Sequence, residues 1–180
     1  MPRKRAGLIG CGSVGISFLI TLVALATLLL DVENKKGGVS ELYNWVTAGS
    51  FSLNMSILID PLSVFMLLIV TGVGFVIHVY SIGYMENDPE FSRFFSYLNF
   101  FIFSMSLLVL AADFFFLIVG WALVGLASYL LIGFWKEKTS AVLAARKAFV
   151  MNVIGDVGMV IAAFIIFDHL GTLNFLETFA

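Results

Sequence analysis

Phe114-Phe-Phe-Leu-Ile-Val-Gly-Trp-Ala-Leu-Val-Gly-Leu-Ala-Ser-Tyr-Leu-Leu-Ile-Gly-Phe-Trp135 runs for 22 residues without a charged side chain. A helix needs about 20 apolar residues to cross ~30 Å of hydrocarbon, so this stretch reads as a membrane span. Asp113 alone separates it from a second apolar run at 94–112, and the two must form a tight antiparallel hairpin. Further runs of spanning length lie at 8–30, 61–84 and 148–167. The pattern predicts an all-α membrane protein, a bundle of five transmembrane helices. Composition agrees: 61% of the 180 residues are hydrophobic and 12% charged, with a mean hydropathy of +1.04. A soluble domain carries about 25% charged residues; this chain has too little polar surface to cover a globule.

Arg3, Lys4 and Arg5 ahead of an apolar run look like a secretory leader. The run at 8–30 is 23 residues, however, and no A-x-A site closes it. Leader h-regions are shorter, about 7–15 residues, so a retained helix is expected. Lys and Arg set the orientation. With the N-terminus inside, Arg3, Lys4, Arg5, Arg93, Lys136, Lys138, Arg146 and Lys147 are inside and only Lys35 and Lys36 outside, eight against two. The reading is a multi-pass protein of a bacterial plasma membrane, its N-terminus cytoplasmic and the segment from Asp168 onward outside. In the long outer loop before Asp60, Phe51, Leu53, Met55 and Ile57 alternate with Ser50, Ser52, Asn54 and Ser56. That period of two predicts a short extended segment on the outer face, half of a hairpin. Asp60 and Pro61 suit the N-cap and first position of the next helix.

The polar groups inside the spans carry the functional lead. Asp156 sits two turns inside an apolar helix, where a charge costs roughly 2.5–3.5 kcal/mol on insertion scales. Asn152 lies four residues earlier, on the same face. Lys147 points to the opposite side, ~13.5 Å away at 1.5 Å per residue, and cannot pair with Asp156 within one helix; with Arg146 it sits at the inner mouth. His78, about two turns from the end of its helix, can carry protons near neutral pH. Asp113 reads as a turn residue. Thr71, Ser104, Ser106 and Ser128 line a hydrated path or satisfy backbone carbonyls, and the sequence leaves both open. Gly72, Gly74, Gly120, Gly125, Gly155, Gly158, Ala127, Ser128 and Ala162 mark close helix approach. The single cysteine, Cys11, excludes an intrachain disulfide. No metal-ligand spacing, phosphate-cradling loop, redox-centre ligand set or basic patch for nucleic acid is present, so no cofactor, metal or nucleic-acid partner is expected.

The segments Leu58-Ile-Asp-Pro-Leu-Ser63, Thr71-Gly-Val-Gly-Phe-Val-Ile-His78, Arg93-Phe-Phe-Ser-Tyr97, Gly120–Trp135, Lys147-Ala-Phe-Val150 and Gly171-Thr-Leu-Asn-Phe175 closely resemble the chain L family of proton-translocating NADH–quinone oxidoreductase, respiratory complex I. In mitochondria this is subunit 5, and multisubunit Na⁺/H⁺ antiporters share the superfamily. The resemblance implies a membrane-arm subunit coupling proton translocation to electron transfer elsewhere. Its partners would be the lipid bilayer and other membrane subunits, and it would touch redox subunits only indirectly. The family chain has two inverted five-helix repeats, each with a broken helix. The 180 residues correspond to helices two to six, the N-terminal part only: 1–56 a first helix and outer loop, 57–180 the start of the antiporter-like domain. The implied translocation residues are Asp156, Lys147, His78 and Asn152. Two charges of the family pattern are replaced. Ala122 stands where the Gly-Trp-Glu motif has its glutamate, and Val153 where an arginine precedes the aspartate by three. An antiporter-subunit fragment or a non-pumping structural relative are the alternative readings.

Overall fold

A computed structural model describes residues 3–30, 38–48 and 51–179, with the side chains of 47, 48 and 51–53 left aside. Five long helices form, α1 (Arg3–Leu30), α2 (Pro61–Tyr84), α3 (Phe91–Val109), α4 (Phe114–Ile132) and α5 (Thr139–Leu170), with a short α6 (Phe175–Thr178) after them. All five long ones are apolar and long enough to cross a membrane. The chain is an integral membrane protein.

Several predicted boundaries move. α1 starts at Arg3 rather than residue 8, α3 spans Phe91–Val109 rather than 94–112, and α4 stops at Ile132 rather than 135. The largest change is α5, which begins at Thr139 instead of residue 148 and runs for 32 residues. Apolar length locates the part of a helix that sits in lipid. It does not locate the polar turns that continue past it, and at about 1.5 Å per residue α5 is far longer than the hydrocarbon is thick. Lys147 therefore lies within the helix, exposed, just ahead of the apolar run that begins at residue 148.

α2 begins as expected. The Ser63 amide donates to the Asp60 carboxylate at 2.7 Å, the Asp60 amide donates to Ser63 Oγ at 2.9 Å, and Pro61 takes the first helical position. Asp113 is not a turn residue. It is the N-cap of α4, buried, and its carboxylate accepts from the Phe116 amide at 2.8 Å. Nor does it stand alone between the helices, because 110–113 all lie outside α3 and α4. Burial pushes its carboxyl above the usual range, against the opposing pull of the Phe116 and Phe115 amides. Asp113→Ala is expected to destabilise by about 1–2 kcal/mol and Asp113→Asn by less, because asparagine caps almost as well. Thermal unfolding in detergent reads the difference.

The alternating segment is one strand of a complete hairpin. β1 (Gly38–Ala48) and β2 (Phe51–Ile59) pair antiparallel from Gly38 opposite Ile59 to Ala48 opposite Phe51, with irregularities between Glu41 and Tyr43 and between Asn44 and Val46. Trp45 sets the hairpin on the start of α4, its ring 5.3 Å from Phe115 and 5.6 Å from Phe116. Lys35, Lys36 and Ser50 lie outside the described residues, as do the side chains of Phe51, Ser52 and Leu53.

The two ends of the bundle are joined by different means. At the hairpin end the joints are backbone bonds: the Leu58 amide to the Leu110 carbonyl at 2.9 Å, Phe114 to Leu173 at 3.0 Å, and Phe175 to Ala112 at 3.1 Å. The link between α3 and α4 is thus held on one side by β2 and on the other by 173–175. At the opposite end the joints are side chains. Arg3 donates to the Glu86 carbonyl at 3.1 Å, Trp135 Nε1 donates to Asp88 at 3.0 Å, and Arg93 pairs with Glu90 at 3.2 Å while lying over the Phe134 ring. α1, α2 and α3 pack mutually, α4 packs on α3, and α5 packs chiefly on α4.

Asp88 lies outside the spans. The Trp135 indole N–H, then the Glu90 amide, with smaller help from Arg93 and Arg3, hold its carboxyl below the usual carboxylate range. A depressed value means the link contributes fully above the unfolded-state pKa of about 3.9 and is lost as pH falls through the folded value. Acid titration should shift Trp135 emission below about pH 4, and Asp88→Asn should remove that shift.

Candidate functional site

Small residues set the register between α4 and α5. A Cβ on Gly133 would meet the Ala145 methyl at 3.2 Å, Tyr129 packs on Phe149 with centroids 5.4 Å apart, and a Cβ on Gly125 would overlap the Asn152 amide. Each step moves about one turn down α4 and one turn up α5. Continued by one turn, the same register would put Trp121 and Ala122, both exposed, at the height of Asp156. Asn152 fills the space that Gly125 leaves, so it belongs to the seam, and Asp156 follows it on the same face. One Asp156 carboxylate oxygen, Oδ1, is buried and has no hydrogen-bond partner among the described residues. Val153 stands beside the seam with 39% of its surface exposed. An arginine there would reach Asp156 at i,i+3 spacing.

His78 is elsewhere. It is fully buried between α1, α2 and α3, edge-on to Phe95 with ring centroids 6.0 Å apart. Its Nδ1 lies 2.7 Å from the Gly74 carbonyl. A carbonyl only accepts, so Nδ1 carries the proton and donates, and Nε2 of the neutral ring is an acceptor. That Nε2 is buried without a partner among the described residues. The structure therefore does not gather the sequence candidates into one site. Asn152 and Asp156 share the α4–α5 seam, His78 lies within the three-helix group, and exposed Lys147 meets neither.

The hydroxyl question resolves for three residues. Thr71 donates to Leu67 O at 2.6 Å, Ser104 to Phe100 O at 2.7 Å and Ser106 to Ile102 O at 2.8 Å, so each satisfies a carbonyl of its own helix. The glycine readings divide. Gly72 lies against Phe18, Gly74 against Ile102, Gly120 against the Leu108 backbone and Gly125 against Asn152, whereas Gly155 and Gly158 have nothing within 4 Å of an added Cβ. Ala127 is buried as expected, while Ala162 is exposed; Ala163 is the buried neighbour.

Two family profiles match the chain. One is described as NADH-Ubiquinone oxidoreductase (complex I), chain 5 N-terminus, at residues 45–95, and the other as NADH:quinone oxidoreductase/Mrp antiporter, TM, at residues 111–180. The chain belongs to the NADH:quinone oxidoreductase/Mrp antiporter family. NADH-quinone oxidoreductase subunit L of Mycobacterium tuberculosis is 44% identical over 173 residues, covering 96% of this chain and 27% of the relative. Subunit L of Escherichia coli is 42% identical over 172 residues, covering 96% of this chain and 28% of the relative. The chain thus spans about a quarter of the length of the curated relatives it matches. The solved Mrp complex from Dietzia superimposes with a TM-score of 0.75 at 23% identity, over 99% of this chain and 21% of that one. At that identity the likeness shows the fold.

Within this family frame, Ser13, Ser96 and Asn99 are polar groups the sequence reading passed over. Ser13 Oγ donates to Asn99 Oδ1 at 2.7 Å, joining α1 to α3. The signal was available, since Ser92, Ser96 and Asn99 recur at helical spacing.

Proposed function

We propose that this chain is the N-terminal part of a membrane-arm subunit of a proton-pumping NADH–quinone oxidoreductase, contributing to proton translocation while electron transfer occurs in other subunits. The observation that supports ion movement is the Asp156 carboxylate oxygen Oδ1, buried within an apolar span with no hydrogen-bond partner among the described residues. The subunit-L identity along 96% of the chain favours the oxidoreductase over an antiporter. Asp156, Asn152, His78 and Lys147 are the translocation candidates, and the partners are neighbouring membrane subunits of the same complex. The chain itself holds no cofactor in this reading. Because Ala122 and Val153 carry no charge, Asp156 works without the glutamate and arginine of the family pattern.

The test is NADH-driven proton uptake in proteoliposomes containing the assembled complex. Asp156→Asn is expected to reduce protons moved per NADH at least twofold with NADH oxidation retained. An unchanged ratio would reduce the chain to a structural role, and Na⁺-driven exchange without NADH would assign it to the antiporters.

The chain sits in a bacterial plasma membrane with the Arg3 end of the bundle inside and the hairpin end outside, as the Lys and Arg distribution favours. In a Cys11→Ala background, His169→Cys should react with an impermeant thiol reagent in intact cells. Reaction at Lys138→Cys instead would invert the topology.

A further inference from the structure

A cleft of about 390 Å³ lies between α1 and α3, lined by Ala6, Ile9, Gly10, Ser92, Phe95, Ser96 and Asn99. It starts at the Arg3 end, since Ala6 and Ser92 stand in the first turns of their helices. At about 30 Å³ per molecule it holds on the order of ten waters. Its polar groups step inward along α3: the Ser96 hydroxyl bonds to the Ser92 carbonyl at 3.0 Å, and the Asn99 amide to the Phe95 carbonyl at 2.9 Å. Gly10 keeps the cleft tight, because a Cβ there would stand 2.8 Å from Phe95 Cδ1 and 2.9 Å from Asn99 Nδ2.

The inner wall of the cleft is Phe95, only 2% exposed, and behind it stands His78 with its unpartnered Nε2. The charged side chains of the three surrounding helices are Arg3, Lys4 and Arg5 on α1 and Arg93 on α3, all within a turn of the same end; α2 has none. Beyond that mouth, His78 is the one side chain of α1–α3 able to take up a positive charge.

We propose that this cleft is a water inlet through which protons reach Nε2 of His78, with the Phe95 ring as its gate. It rests on the translocation reading above and gives His78 a route separate from the α4–α5 seam. The chemistry is a single transfer. Nε2 accepts a proton that the water in the cleft gives up, Nδ1 keeps its own proton on the Gly74 carbonyl, and the added proton returns or moves on from Nε2. When Phe95 swings aside, water meets the imidazole. When it closes, the ring is sealed from the cleft.

The test is thiol accessibility in the assembled membrane complex, in oriented vesicles and a Cys11→Ala background, with a cationic, impermeant methanethiosulfonate as probe. Asn99→Cys should label from the Arg3 side, at a rate that Phe95→Ala leaves within twofold. His78→Cys should label slowly or not at all with Phe95 in place, at least tenfold faster with Phe95→Ala, and only from the Arg3 side. Phe95→Leu repeats the comparison with a smaller change in packing. Gly10→Val should fill the cleft and abolish the acceleration. The proposal is overturned if His78→Cys labels from the hairpin end, if its rate is the same with phenylalanine, leucine and alanine at 95, or if Asn99→Cys is unreactive. Labelling needs no turnover, so it separates this inlet from the pumping reading, which proton uptake by the unmodified complex tests on its own.

Discussion

Gly120→Ala is expected to destabilise the bundle by about 2–3 kcal/mol, the upper part of the range for forcing extra atoms into a packed core. A Cβ there would stand 2.7 Å from Leu108 Cα and 2.8 Å from Leu108 N. Backbone cannot rotate away, so α3 and α4 must separate along their whole contact. Gly125→Ala is the informative control. Its added methyl collides with the Asn152 side chain, which can swing out of the seam, and the expected loss is roughly half as large, near 1 kcal/mol. Thermal unfolding in detergent should rank the two in that order. Equal losses would mean that the α3–α4 contact relaxes as easily as a side chain does. Gly155→Ala, with open space around it, should change stability by less than about 0.5 kcal/mol.

The second large effect concerns the charges missing from the α4–α5 seam. Ala122→Glu alone is expected to destabilise by about 2.5–3.5 kcal/mol, the insertion penalty of a charged side chain at mid-bilayer. Extended by one turn beyond Gly125 and Asn152, the register would put the new carboxylate at the height of Asp156, where like charges add to that loss. Val153→Arg introduces a cation three residues before Asp156, on the exposed flank of the seam. The double variant should recover at least about 1 kcal/mol relative to the sum of the singles, the coupling that a double-mutant cycle isolates. In the full-length complex it should also raise protons moved per NADH. Additive losses with unchanged pumping would show that these positions do not communicate, and the seam would then be read as packing alone.

Most of the helical plan is written in the apolar runs. Pro61 and Asp60 announce the start of α2 in the sequence, and the capping box that follows is a local event needing no distant partner. What composition hides is any element whose reason is tertiary. Thr139 to Lys147 has four polar side chains among nine residues and is too short to span, yet it is helical because it continues α5 beyond the apolar run. Asp113 reads as a turn residue until the buried Phe116 amide is seen donating to it. Gly155 and Gly158 have the spacing of a contact stripe, but no helix lies against them among the described residues. That Asp156 and Asn152 share one helix face is legible because four residues make about one turn. That His78 belongs to a separate group, fully buried behind Phe95, depends on how α1 and α2 fold against α3, which no periodicity within any one of these helices contains.

The contrast between the two ends has a consequence for how such a chain can diverge. At the hairpin end, Leu58, Ala112, Phe114, Leu173 and Phe175 are joined through amides and carbonyls, which every residue type except proline supplies alike. Those joints survive almost any side-chain replacement and are indifferent to salt. At the Arg3 end the joints are two guanidinium groups, an indole and two carboxylates, each removable by a single codon change and each weakened by ionic strength. Drift can therefore retune one mouth of the bundle residue by residue, while the other changes only when the chain takes a new path.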